Sequence, residues 1–169
     1  GAYFRGDVNF SSVPGYVIQM RFGNKTFKVD GNISLNSPLI IHAAQGAWEV
    51  GGNFDINNTR LYLSGNSTSG FTVWGTLNLS TVNSSLDFAK QDGGGSGSKS
   101  RMIGGINGIG RLQVGLPSVD TTVILTNNGT AEFSGKYATQ NGVGGALHLN
   151  MNANSDTGKQ IMRFQEFAD

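Results

Sequence analysis

Phe71-Thr72-Val73-Trp74-Gly75-Thr76-Leu77-Asn78-Leu79 puts Phe71, Val73, Leu77 and Leu79 on one side of an extended chain and Thr72, Thr76 and Asn78 on the other. Side chains of a strand alternate with period two, so this stretch reads as a half-buried β-strand with an apolar and a solvated face. The same alternation recurs in Gly15–Phe22, Asn24–Asp30 and Val143–Asn152. Shorter candidates are Ala2–Phe10, Pro38–His42, Ala47–Ile56, Thr59–Gly65, Gly110–Val114, Thr121–Leu125, Thr130–Tyr137 and Gln160–Phe167. Asp30-Gly31, Asn128-Gly129 and Asn141-Gly142 are turn signals between them. No helical stretch of ten or more residues is visible.

Composition agrees. Of 169 residues, 26 are glycine and only 14% are charged, with Asn, Ser and Thr filling much of the rest. These short polar side chains offer the backbone competing hydrogen bonds, which disfavours helices and suits turns and solvated strand faces. Alternation with one wet face is the habit of antiparallel sheets, and a closed barrel leaves no edge strand exposed. The expected fold is therefore all-β: one domain over 1–169, an antiparallel β-barrel of about eight main strands, with a β-sandwich or an open β-groove as alternatives. Residues 92–99 break the pattern with Gly93-Gly94-Gly95-Ser96-Gly97-Ser98, the composition of a flexible linker, a mobile loop or an engineered joint.

Several function classes are disfavoured. A net charge of +1 with scattered Lys and Arg gives no basic stripe for nucleic acid. No apolar run is long enough for a spanning helix, and no signal peptide stands at Gly1, so a mature or trimmed chain is expected. Without cysteine there are no disulfides, thiol nucleophiles or thiolate metal sites. The chain lacks a Gly-x-Ser-x-Gly elbow, a His-Glu-x-x-His pair and a phosphate-binding loop. The glycines of Gly104–Gly110 lack the terminal lysine that phosphate cradling needs, and the carboxylates are dispersed. No catalytic residue, metal site or cofactor is expected. The reading is binding rather than chemistry, in a secreted or cell-surface setting.

Trp74 stands out because it lies on an otherwise polar strand face, and Trp is enriched at interaction hot spots. His42 and His148 are ordinary strand histidines unless the fold brings them together as ligands for a metal or haem iron. Arg5-Gly6-Asp7 spells an integrin-recognition tripeptide, but it reads as the middle of a strand rather than a loop tip. Sequons begin at Asn9, Asn24, Asn32, Asn57, Asn66, Asn78, Asn83 and Asn128. Polar residues alternating on outer strand faces produce that spacing without any need for glycosylation.

Three ordered glycine motifs add a resemblance. Phe22-Gly23-Asn24-Lys25-Thr26-Phe27 with Gly31-Asn32-Ile33, then Leu63–Gly70 with Gly65 and Gly70, then Phe133-Ser134-Gly135-Lys136-Tyr137-Ala138 with Gly144-Gly145, resemble segments of the transferrin-binding-protein-B-like barrels of bacterial surface proteins. Ala2–Gly6 would fit the first barrel strand. Two extra residues separate Thr26 from Gly31, the acidic residue usual before the last Gly-Gly is missing, and Ser80–Thr126 has no counterpart. The resemblance touches about half the chain. It implies an eight-stranded barrel, surface-exposed or secreted, that binds a host protein or a scavenged nutrient such as haem through loops at one barrel end. Three other readings remain open, one of them an eight-stranded outer-membrane barrel, for whose aromatic girdles two Trp and four Tyr are few. Gly75-Thr76-Leu77-Asn78-Leu79 also resembles the strands of lipid-carrying envelope grooves and secretion-system subunits, and an adhesin or filament subunit could be a sandwich completed by a complementing strand.

Overall fold

The computed structural model describes residues 1–43, 46–65, 70–88, 99–114, 121–126, 130–139, 147–151 and 158–165, with the side chains of residues 22, 42, 43, 64, 65, 99, 100, 121 and 151 outside the description. Among these residues the chain is all-β, and every strand pairing is parallel. The fold is a β-solenoid, which corrects the antiparallel barrel.

Each turn of the chain lays down strands on three sides. The first side stacks β1 (Ala2–Phe4), β4 (Thr26–Val29), β7 (Ala47–Val50), the start of β10 (Gly70–Leu79), the start of β12 (Lys99–Gly108), β14 (Thr121–Leu125) and β17 (Leu147–Met151). The second stacks β2 (Val8–Phe10), β5 (Ile33–Leu35), β8 (Phe54–Ile56), the ends of β10 and β12, β15 (Thr130–Phe133) and β18 (Lys159–Met162). β10 and β12 run through the corner and join these two sides into one 12-stranded sheet. The third side is a separate 6-stranded sheet of β3 (Ile18–Phe22), β6 (Leu39–Ala43), β9 (Arg60–Gly65), β11 (Ser85–Phe88), β13 (Arg111–Val114) and β16 (Lys136–Thr139).

Alternation could not separate the two architectures, because each rung of a solenoid also has one face inside and one outside. The inward positions are the expected ones. Phe71, Val73, Leu77 and Leu79 are buried, each stacked on the apolar residue of the turn before. One column runs Ile33, Phe54, Leu77, Ile106 and another Leu39, Leu61, Leu86, Leu112. Each turn buries its apolar edge only against its neighbours, so the core is a continuous stack.

What turns each strand is a glycine column at the first corner. Gly6, Gly31, Gly52, Gly75 and Gly104 occupy successive turns there, and a Cβ on Gly31 would lie 2.7 Å from Gly6 C, on Gly52 2.9 Å from Gly31 O, and on Gly75 2.6 Å from Gly52 O. Backbones stack there too closely for any side chain. The next residue supplies a polar ladder. The Asn32 N–H donates to Asp7 Oδ1 (2.7 Å), the Asn53 N–H to Asn32 Oδ1 (2.8 Å) and the Thr76 N–H to Asn53 Oδ1 (2.8 Å). A second ladder runs along the outer face of the second side, where Asn78 Nδ2 donates to Asp55 Oδ1 (2.5 Å) and Asn107 Nδ2 to Asn78 Oδ1 (3.2 Å). Asn9, Asn32, Asn57 and Asn78, four of the sequon asparagines, all hydrogen-bond between turns in these and the neighbouring corner. Asn53→Ala is expected to cost about 1 kcal/mol, the net worth of a typical hydrogen bond, because the Thr76 amide loses its partner. A urea titration of the two proteins measures it.

The correction reaches individual segments. Ala2–Phe10 is two strands, broken at Arg5-Gly6-Asp7, so the tripeptide lies at an exposed corner rather than inside a strand, with its aspartate starting the ladder. Ala47–Ile56 is likewise broken at Gly51–Asn53, and Thr130–Tyr137 at Ser134-Gly135. Asp30-Gly31 turns the chain at a solenoid corner and not at a hairpin, since β4 and β5 do not pair with each other. Asn128-Gly129, Asn141-Gly142, Gly144, Gly145 and most of 92–99 lie outside the described residues.

Candidate functional site

Parallel stacking converts sequence positions 21 to 25 apart into neighbours on one flank, as in the pairs Tyr3–Lys28, Lys28–Glu49 and Thr72–Glu49. On the outside of the first side this register lines up Tyr3, Lys28 and Glu49 on consecutive strands, with Trp74 just beyond. Lys28 Nζ lies 3.1 Å from Glu49 Oε1, and Trp74 Nε1 donates to the same carboxylate oxygen at 3.4 Å. Tyr3 donates its hydroxyl to Asp30 Oδ2. Both rings stay open to solvent, Tyr3 at 55% and Trp74 at 45% exposed.

A β-bulge aims Trp74. Val73 pairs Ile103 and Thr76 pairs Gly105, so Trp74 and Gly75 together face the single residue Gly104. An extra residue bends the strand and re-aims its side chain. Gly104 permits the crowding, since a Cβ there would sit 2.5 Å from the Trp74 carbonyl oxygen. The tryptophan that broke the alternation is thus the outward residue of a corner, oriented by Glu49.

The electrostatics follow from these contacts. Glu49 raises the Lys28 pKa through a hydrogen bond and its charge, keeping the ammonium protonated. The Asp30 hydrogen bond raises that of Tyr3, keeping the phenol neutral and donating. Two exposed rings bracketing an ion pair make a surface for apolar stacking and hydrogen bonding.

Comparison with protein families, curated proteins and solved structures finds no match to this chain.

The remaining sequence candidates separate. His42 belongs to β6 in the 6-stranded sheet, and His148 is exposed on β17 at the far end of the other sheet. The fold does not bring them together as a ligand pair. Of the glycines picked for the resemblance, Gly31 belongs to the corner column, Gly65 ends β9, Gly70 opens β10, and Gly135 is buried, where a Cβ would lie 2.6 Å from the Phe133 ring. Among the described residues no cluster of three His, Cys, Asp or Glu could hold a metal ion, and no helix is long and apolar enough to cross a membrane. Tyr3, Lys28 and Glu49 were missed by sequence reasoning. Their signal is the common spacing from each first-corner glycine, three residues before Gly6, Gly31 and Gly52.

Proposed function

We propose that this chain is a non-enzymatic binding domain of the bacterial cell surface or secreted fraction, which holds a host protein or scavenged nutrient on the flank carrying Trp74. The observation that carries the reading is an exposed tryptophan, within 3.4 Å of Glu49 and seated at a bulge of a hydrogen-bonded stack. A rigid aromatic presents contact area at little entropic cost, which is why Trp so often anchors interfaces. The polar ladders on either side of the first corner stiffen the backbone from which it projects. A solenoid flank, in place of the barrel-end loops first expected, is the binding surface in this reading.

Biolayer interferometry of the purified domain against separate host serum and matrix proteins and haemin tests it. The expected result is a partner whose affinity falls by about tenfold or more in Trp74→Ala, the loss of a hot-spot side chain, while the melting temperature stays within a degree or two of the parent. A partner bound equally by both proteins would place the interface elsewhere. Antibody labelling of intact producing cells addresses the compartment, and absence of surface or secreted signal would overturn that half of the proposal.

A further inference from the structure

The opposite flank, the outside of the 6-stranded sheet, carries a separate arrangement. Arg60 pairs with Ser85, Ser85 with Arg111 and Arg111 with Lys136, so one register position holds three cations over four consecutive strands. Gln165 bridges onward from Lys136 and extends the column. The adjoining column runs Gln19, Ile40, Tyr62, Asp87 and Gln113. Asp87 is buried, with Oδ2 3.2 Å from Arg60 Nε, while the Arg60 guanidinium lies 4.8 Å over the Tyr62 ring and donates to its hydroxyl. These contacts pin Arg60 in place and leave part of its head exposed. Arg111 is half-buried and Lys136 is exposed. Three cations face one recessed carboxylate, so the flank is positive although the whole chain is nearly neutral.

We propose that this flank binds an acidic polysaccharide lying along the solenoid axis. Successive strands are about 4.8 Å apart, so Arg60 and Arg111 stand about 10 Å apart and Arg111 and Lys136 about 5 Å. A chain of acidic sugars laid along the axis can bring carboxylates or sulfates to these three cations while its hydroxyls meet the neutral groups beside them. An extended acidic peptide points alternate side chains the same way only every 6.8 Å or so and falls out of register within two rungs. Nucleic acid carries charge about every 1.7 Å along a duplex and calls for a denser stripe than three cations. The neutral groups beside the column, Tyr62, Gln113 and Gln165, are hydroxyls and amides suited to sugar hydroxyls. The site is independent of the Trp74 flank, so either can fail without the other.

Isothermal titration of the intact domain with polygalacturonate oligomers tests the proposal, with dextran, poly-glutamate and phosphatidylglycerol vesicles as the other arms. Arg60 is left intact because its removal would strand Asp87, so the variant is Arg111→Gln with Lys136→Gln, checked for an unchanged melting temperature. The expected result is saturable binding to polygalacturonate that weakens about tenfold in the double variant and falls with added salt, with no binding to dextran. Trp74→Ala should leave that affinity unchanged. Failure to bind polygalacturonate, equal binding by the double variant, or equal affinity for poly-glutamate or the vesicles would overturn it.

Discussion

Trp48→Ala is expected to cost about 3–5 kcal/mol, the usual toll of emptying a large aromatic site in a packed interior. Trp48 is 1% exposed and lies between Phe27 and Phe71 in the register of β4, β7 and β10. Its ring stacks on Phe27 at 4.5 Å between centroids and 16° between planes, with Phe10 at 6.0 Å and Phe54 at 6.1 Å. Such pairs add about 0.5–1.5 kcal/mol beyond the area they bury. A domain of this size holds about 5–15 kcal/mol in total, so one substitution removes a large share. The architecture adds a second consequence. In a stacked fold each turn contacts only its neighbours, so stability is a sum of turns and interfaces along one dimension. A void at β7 weakens the link between the first two turns and those after it. Urea unfolding followed by fluorescence should therefore lose cooperativity as well as midpoint, with Trp74, the other of the two tryptophans, reporting on the middle of the stack. A single transition with an unchanged slope and a loss below about 1 kcal/mol would mean that the neighbours collapse onto the site.

The strands were legible because burial imposes alternation wherever a sheet has one wet face. Thr121–Leu125 is a strand with the very bounds read from sequence, and Phe71–Leu79 differs only by the inclusion of Gly70. The direction of pairing, parallel or antiparallel, was not legible from alternation, and the barrel came from the habit of antiparallel sheets. The deciding signal was a repeat. Gly6-Asp7-Val8-Asn9-Phe10, Gly31-Asn32-Ile33-Ser34-Leu35, Gly52-Asn53-Phe54-Asp55-Ile56 and Gly75-Thr76-Leu77-Asn78-Leu79 share one pattern of glycine, a polar residue and an alternating apolar pair. Repeats with a period of 20 to 50 residues mean stacked units. Here the interval between column glycines varies from 21 to 29 residues, and by Gly104 the polar position has become glycine, which blurs the match. The candidate site was legible in part for the same reason. Trp74 announced itself by breaking the alternation, whereas Tyr3, Lys28 and Glu49 look like unrelated surface residues until the register of the repeat is known. Arg60, Arg111 and Lys136 are 51 and 25 residues apart and meet only through the third side of the stack.

Arg101→Met is expected to stabilise the domain, by about 1–4 kcal/mol, the gain seen when buried charges give way to apolar side chains of similar volume. The column Phe27, Trp48, Phe71 continues into Arg101 and then Val123 and Leu149, so an arginine occupies a position that is apolar in the turns around it. It is 3% exposed, and neither Nε nor Nη1 has a hydrogen-bond partner among the described residues. Burial lowers its pKa from the usual guanidinium range to about 10, so at neutral pH the guanidinium is still charged and the desolvation cost is fully present. Above about pH 10 the unfolded chain holds the proton more tightly than the folded one, so the stability contributed by this site rises as pH climbs past that point. The stability difference between Arg101→Met and the parent should accordingly be constant below about pH 10 and shrink above it. Urea titrations at pH 7, 9 and 10.5 read both effects. A methionine variant that is less stable at pH 7 would overturn this account and mean that the packing of the Arg101 side chain outweighs the cost of burying its charge.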